Sequence, residues 1–180
     1  MGWTRRLLLA LAPGPAACAR RGGPPLEAAD RDFVSRALAD GMGTVALGQL
    51  AARRSSSPAV RQFAQRMVAE HRLANRELAA IGSRAGVAPP TALDEGRVDA
   101  ERRLSALTGA EFDRRYMAQQ AQDHAQQLAL FRRQARSGID PELRAFVARR
   151  MPVVEAHAHM AEAVLDSVAV PEDCTAAPMN

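Results

Sequence analysis

Lysine is missing from this chain. All 24 basic residues are arginine, set against 20 acidic residues for a net charge of +4. The arginines are spread along every segment and interleaved with acids, without the clustered basic runs and stacking aromatics of a nucleic-acid surface, which argues against a nucleic-acid partner. Aromatics make up 4% of the residues, and no stretch of four to eight residues is rich in Val, Ile, Thr and aromatics, so strands are excluded. Without strands there is no phosphate-binding loop of the strand–loop–helix kind. Only two cysteines are present, Cys18 and Cys174, one near each end, which excludes an internal disulfide framework. No Ser/His/Asp order or Cys/His pair suggests a nucleophile, and no catalytic residue is assigned. No apolar run is long enough to span a bilayer.

What the chain does have is alanine, leucine, arginine, glutamine and glutamate in abundance, within a hydrophobic share of 47%. Such a composition favours helix, and 180 residues suffice for one sizeable domain. Segment 1–19 reads as an export signal. Arg5 and Arg6 precede the apolar run Leu7 to Ala12, and small residues follow up to Cys18. Cys18 after two alanines also resembles a lipoprotein cleavage site, which would anchor the mature chain to a membrane surface through a lipid. The expected location is the periplasm or cell envelope. Residues 20–29 form a linker, 30–169 the folded domain and 170–180 a disordered tail.

Within the domain, punctuation marks four long helices. The first runs from Asp30, as cap, to Arg54. The second starts at Ser57-Pro58, ends at about Arg84, and is stopped by Gly86 and Pro89-Pro90. Leu93 to Leu107 reads as a short amphipathic helix crossing between helix pairs. Thr108 to Glu111 reads as a capping box opening the third long helix, which closes at Ser137-Gly138. Asp140-Pro141 opens the fourth, with Pro152 predicting a kink inside it. The expected fold is all-α: a ferritin-like four-helix bundle with a long crossover containing a short extra helix.

Polar residues stand on the inward stripes. Phe63, Met67, His71, Ala74 and Leu78 recur at helical spacing, with Glu70 beside the histidine. His124 follows Tyr116 by eight residues, with Asp123 in front, and His157 shares a stripe with Val154, Ala161 and Val164. Buried imidazoles need either hydrogen bonds or a metal, since an unpartnered polar group costs roughly 1–3 kcal/mol. As metal ligands, His71, His124 and His157 suit iron, zinc or copper. Asp40 or Glu70 is the candidate oxygen ligand, and Tyr116 a candidate wall of the same cavity. Binding would require neutral imidazoles and so weaken below a pH of about 6. His159 falls on another face and is expected in solvent; the dispersed methionines read as core fillers. The Glu-x-x-His pairs of di-iron bundles are absent, because Val68, Ala121 and Val154 precede the histidines by three.

Several of these stretches together resemble a family of exported bacterial proteins described only as a domain of unknown function and predicted outer-membrane protein. They are Leu47 to Ala51, Phe63 to His71, Leu104 to Gly109, Phe112-Asp113 with Tyr116, His124, and Pro152 with His157 and Ala161. The resemblance spans about Phe33 to Val168 and implies a ferritin-like fold, with no activity attached. Thr44 stands where that family usually places glutamate, and Ala46 where an acid is common, so a carboxylate-bearing metal site is not inherited intact. Three functions follow in order of preference: an exported bundle acting as a binding or envelope-stress module without catalysis, a metal-binding ferritin-like protein, and an enzyme using the histidines as acid and base. The sequence names no protein partner and leaves a homodimer open.

Overall fold

The computed structural model describes residues 25–169. The signal segment 1–19, Cys18 and the tail 170–180 lie outside the described residues, as does the start of the expected linker. The described residues form five helices: α1 Ala28–Arg54, α2 Pro58–Arg84, α3 Glu95–Ser105, α4 Gly109–Ser137 and α5 Pro141–Ala169. The architecture is all-α, and α3 is the short extra helix between the two pairs. No helix among the described residues is long and apolar enough to cross a membrane.

Short turns make α1 and α2 one hairpin and α4 and α5 another, and the hairpins meet α1 on α4 and α2 on α5. Hydrogen bonds fix the directions. Asp30, early in α1, accepts from Gln134 near the end of α4, at 2.6 Å. Asp113, early in α4, accepts from Ser56 in the α1–α2 turn, at 2.6 Å. α1 and α4 therefore run antiparallel. So do α2 and α5, where Glu77 meets Arg150 and Glu70 meets His157. With the first hairpin running up and down and the second down and up, the α2–α4 connection must travel the bundle's length. It does so through α3, which lies against α1 and α4.

Helix starts follow the local chemistry in three places. The Ser57 hydroxyl accepts from the Val60 N–H, the Asp94 carboxylate from Arg97, and Asp140 from both Glu142 and Leu143. Two expected caps are corrected. α1 begins at Ala28 with Glu27 before it, and Asp30 lies inside the first turn, buried, accepting from Gln134 and from the Asp140 N–H. The carboxylate serves three chain ends at once instead of capping its own helix. Thr108 precedes α4 but makes no side-chain cap bond. Gly109, which follows it, adopts a left-handed φ of 57°, a conformation that favours glycine. Pro152 lies within α5 without ending it, although it leaves the Ala148 carbonyl without its helical donor.

The core divides in two. At the Asp30 end, Phe33, Val34, Leu78, Phe131, Leu143 and Phe146 pack together. At the other, Leu47, Val60, Phe63, Met67, Phe112 and Tyr116 do the same. Each fully buried large apolar side chain contributes about 1.5–3 kcal/mol. Between the clusters runs a buried polar layer of Thr44, His71, Gln120, His124, Gln127 and His157. The two apolar clusters hold this layer in place against its own desolvation cost.

Candidate metal centre

Three helices deliver the layer's imidazoles. His71 comes from the middle of α2, His124 from the middle of α4 and His157 from α5, just over one turn past Pro152. They reach the same level because the middles of antiparallel helices coincide. Their ring centroids lie 5.4–5.6 Å apart in every pair. Relative exposures are 5%, 1% and 2% in chain order. Each ring offers one nitrogen such that all three lie within 4.8 Å of one another. Three such atoms share a centre no more than about 2.8 Å from each, against roughly 2.0–2.1 Å for a metal–imidazole bond. Side-chain adjustments of under about 1 Å would close the difference.

Hydrogen bonds set the tautomers. His124 Nδ1 lies 2.8 Å from the Gln120 carbonyl oxygen, which can only accept, so Nδ1 carries the proton. His157 Nε2 lies 2.7 Å from Glu70 Oε2 and donates to it. What remains on those rings, Nε2 of His124 and Nδ1 of His157, is a lone pair. Both atoms are buried without a hydrogen-bond partner, as is Nε2 of His71. A ring whose far nitrogen donates to a carbonyl or carboxylate while its near nitrogen stands free has the arrangement of a metal-bound histidine.

Burial holds these rings neutral. Desolvation, assisted by the neighbouring imidazoles and Arg150, pushes His71 from 6.5 down to about 3. His124 goes down to about 4, with burial outweighing the hydrogen bond to Gln120. His157 is also lowered by burial, against the opposing pull of Glu70. The Glu70–His157 contact is therefore a hydrogen bond from a neutral ring. Beside the expected loss of metal affinity below a pH of about 6 stands the lowering of all three rings by burial, His71 and His124 well below that pH.

The two carboxylates expected as oxygen ligands lie elsewhere. Glu70 is engaged by His157 through Oε2 and by Arg66 through Oε1 at 2.7 Å, so it orients the His157 ring. Burial alone would raise its pKa, but these two donors hold it below the usual range. Asp40 is ion-paired with Arg97 of α3 and does not join the cluster. Burial raises its pKa in spite of Arg97. Asp123 accepts from Gln119 at 2.8 Å. Asp40, Arg97, Asp123 and His124 share the walls of a cleft of about 210 Å³ between α1, α3 and α4. Thr44 donates to the Asp40 carbonyl at 3.1 Å. Tyr116 is fully buried with its hydroxyl unpartnered; it packs edge-on against Phe63, which in turn meets His124. His159 is exposed.

Sequence reasoning passed over Gln120 and Gln127, both buried in the layer with unpartnered side-chain atoms. The signal was available: they lie four residues before and three after His124, on the same face of α4.

The fold has a solved counterpart. A crystal structure of a DUF305 fragment from Deinococcus radiodurans superposes with a TM-score of 0.71, covering 80% of this chain and 99% of that one. At 18% identity the likeness is one of fold alone. No curated protein sequence matches the chain. A family model does, from residue 16 to 164, across the bundle and all three histidines, and the chain belongs to that family, the domain of unknown function DUF4142.

Proposed function

We propose that this protein is an exported, ferritin-like bundle that binds a single first-row transition-metal ion through His71, His124 and His157. One observation carries the reading: three neutral, buried imidazoles converge, each with a ring nitrogen that has no other partner. Core histidines present for packing alone would spend those nitrogens on hydrogen bonds, since an unmade buried bond costs about 1–3 kcal/mol. The up-down-down-up order with one crossover is that of ferritin-like bundles. The donor set differs from a di-iron site, because neither Glu70 nor Asp40 faces the centre. Three imidazoles suit zinc, copper or iron, and binding, rather than catalysis, is the function proposed. Glu70 partly offsets the ion's charge through His157 and raises that ring's donor strength.

The test is metal-dependent thermal shift on protein purified without a histidine tag. At a free metal concentration a hundred times Kd the folded state gains about 2.7 kcal/mol. For a domain of this size that raises Tm by roughly 5–10 °C. His124→Ala should abolish the shift, and His159→Ala, on an exposed residue, should leave it. A wild type unmoved by zinc, copper and iron, or two variants that behave alike, would remove the metal reading.

A further inference from the structure

Three imidazoles do not complete the coordination of a first-row ion, which takes at least a fourth ligand in most sites. Among the described residues no fourth His, Cys, Asp or Glu joins the cluster. Next to it is a second cavity of about 30 Å³, on the side of the layer away from α3. Its walls include His71 and His157 themselves, with Glu70, Asn75, Gln127 and Arg150. That volume holds one water molecule, which needs about 10–15 Å³ of such space together with polar partners.

Two of the wall residues bring polar groups to the cavity. Gln127 is buried, and its side-chain oxygen has no hydrogen-bond partner. It lies three residues past His124, so α4 presents both to the same layer. Arg150 is mostly buried, held by Glu77 at 2.6 Å, and its charge reaches His71. Arg150 also lies over the Phe146 ring, 6.0 Å from its centroid, whereas the unsatisfied amide oxygen of Gln127 beside the apolar wall of Leu78, Phe131 and Phe146 is a poor choice for packing. An amide with a free oxygen and a guanidinium on one cavity are good choices for a small polar ligand.

We infer that the metal held by the triad keeps a fourth, exchangeable position opening into this cavity, where a water molecule or a single small anion binds against Gln127 and Arg150. The inference rests on the metal reading above. The amide of Gln127 serves either occupant. Its oxygen accepts from a metal-bound water, and with the amide turned over its NH₂ donates to an anion. Arg150 favours the anion through its charge, and room of about 30 Å³ suits an occupant of a few atoms.

The experiment uses cobalt(II) as the metal and azide as the anion, on the full chain. Cobalt absorption in the visible reports coordination directly. With wild-type protein loaded with cobalt, azide should change the spectrum saturably. Gln127→Leu, which keeps the volume and removes the amide, should still take up cobalt at saturating concentration and, once loaded, weaken azide by about tenfold, equivalent to about 1.4 kcal/mol. Arg150→Gln should weaken azide likewise. A cobalt-loaded wild type whose spectrum ignores saturating azide overturns the open position while leaving the metal site standing. An azide response unchanged by both variants overturns their role in the cavity. A wild type that takes up no cobalt overturns this inference and the metal reading together.

Discussion

In the absence of metal, the three buried imidazoles should make the domain acid-labile over a window set by their own chemistry. The unfolded chain exposes them, and each then titrates near 6.5. In the folded chain burial holds His71 at about 3 and His124 at about 4. As pH falls below 6.5 the unfolded chain takes up protons that the folded chain refuses, so stability present above 6.5 is lost toward the folded values. At most, each ring contributes about 1.4 kcal/mol per pH unit. Between pH 7.5 and 5 that amounts to about 2 kcal/mol per ring, or about 4 kcal/mol for His71 and His124 together. His157, lowered in the same direction, adds to the loss. Asp40 and Asp123 are raised by burial and act in the opposite sense, offsetting part of the loss as pH falls. The assay is urea unfolding of chelator-treated protein at pH 7.5, 6 and 5. His71→Leu should recover about 2 kcal/mol of the drop, because it removes one of the two protonation sites. An unfolding free energy constant to within about 0.5 kcal/mol across the window would mean that the rings titrate as in water, which would refute their burial in the polar layer.

Two further outcomes test other parts of the account. Asp30→Ala strips the Gln134 amide and the Asp140 N–H of their shared acceptor at a buried junction, and should lower the unfolding free energy by about 2–4 kcal/mol with metal affinity unchanged; a loss under about 0.5 kcal/mol would show that the three chain ends are not held there. Mass spectrometry of the native protein should find a mature chain beginning between Cys18 and Gly22, with a diacylglycerol adduct if Cys18 is lipidated; an intact Met1 in a cytoplasmic fraction would end the export proposal.

The fold was legible because its signals are local. Ser57-Pro58, Asp140-Pro141 and Gly86 each mark a helix boundary by chemistry within a few residues, and the stripes of Phe63, Met67, His71 and Leu78 name the buried face directly. The inward direction of the three histidines follows from the same periodicity. What failed was long-range. Asp30 looked like a cap because its two partners, Gln134 and Asp140, are more than a hundred residues away. Asp40 looked like a ligand because its stripe position is right, but α3 brings Arg97 across to claim it, and no periodicity predicts which way a crossover helix presents an arginine. Gln120 and Gln127 went unnoticed because glutamine on a helix is ordinary until its burial is known.

The division of ligands among helices has a consequence for what the metal would do. His71 belongs to the first hairpin, while His124 and His157 belong to the second. Helices pack more extensively within each hairpin than across the α1–α4 and α2–α5 faces. An ion held by all three rings would therefore fasten the bundle along its thinner seam, and at the level where the apolar core is interrupted by the polar layer. α1 supplies no ligand, since the Thr44 hydroxyl is engaged with its own helix. Removing the metal should thus loosen one hairpin against the other before either hairpin frays. Hydrogen exchange checks this: on chelation, protection should fall along the inward stripes of α2 and α5 around His71 and His157 more than along the α1–α2 face at Gly48 and Ala64. Equal loss on both faces, or loss confined to helix ends, would mean that the ion does not join the two halves.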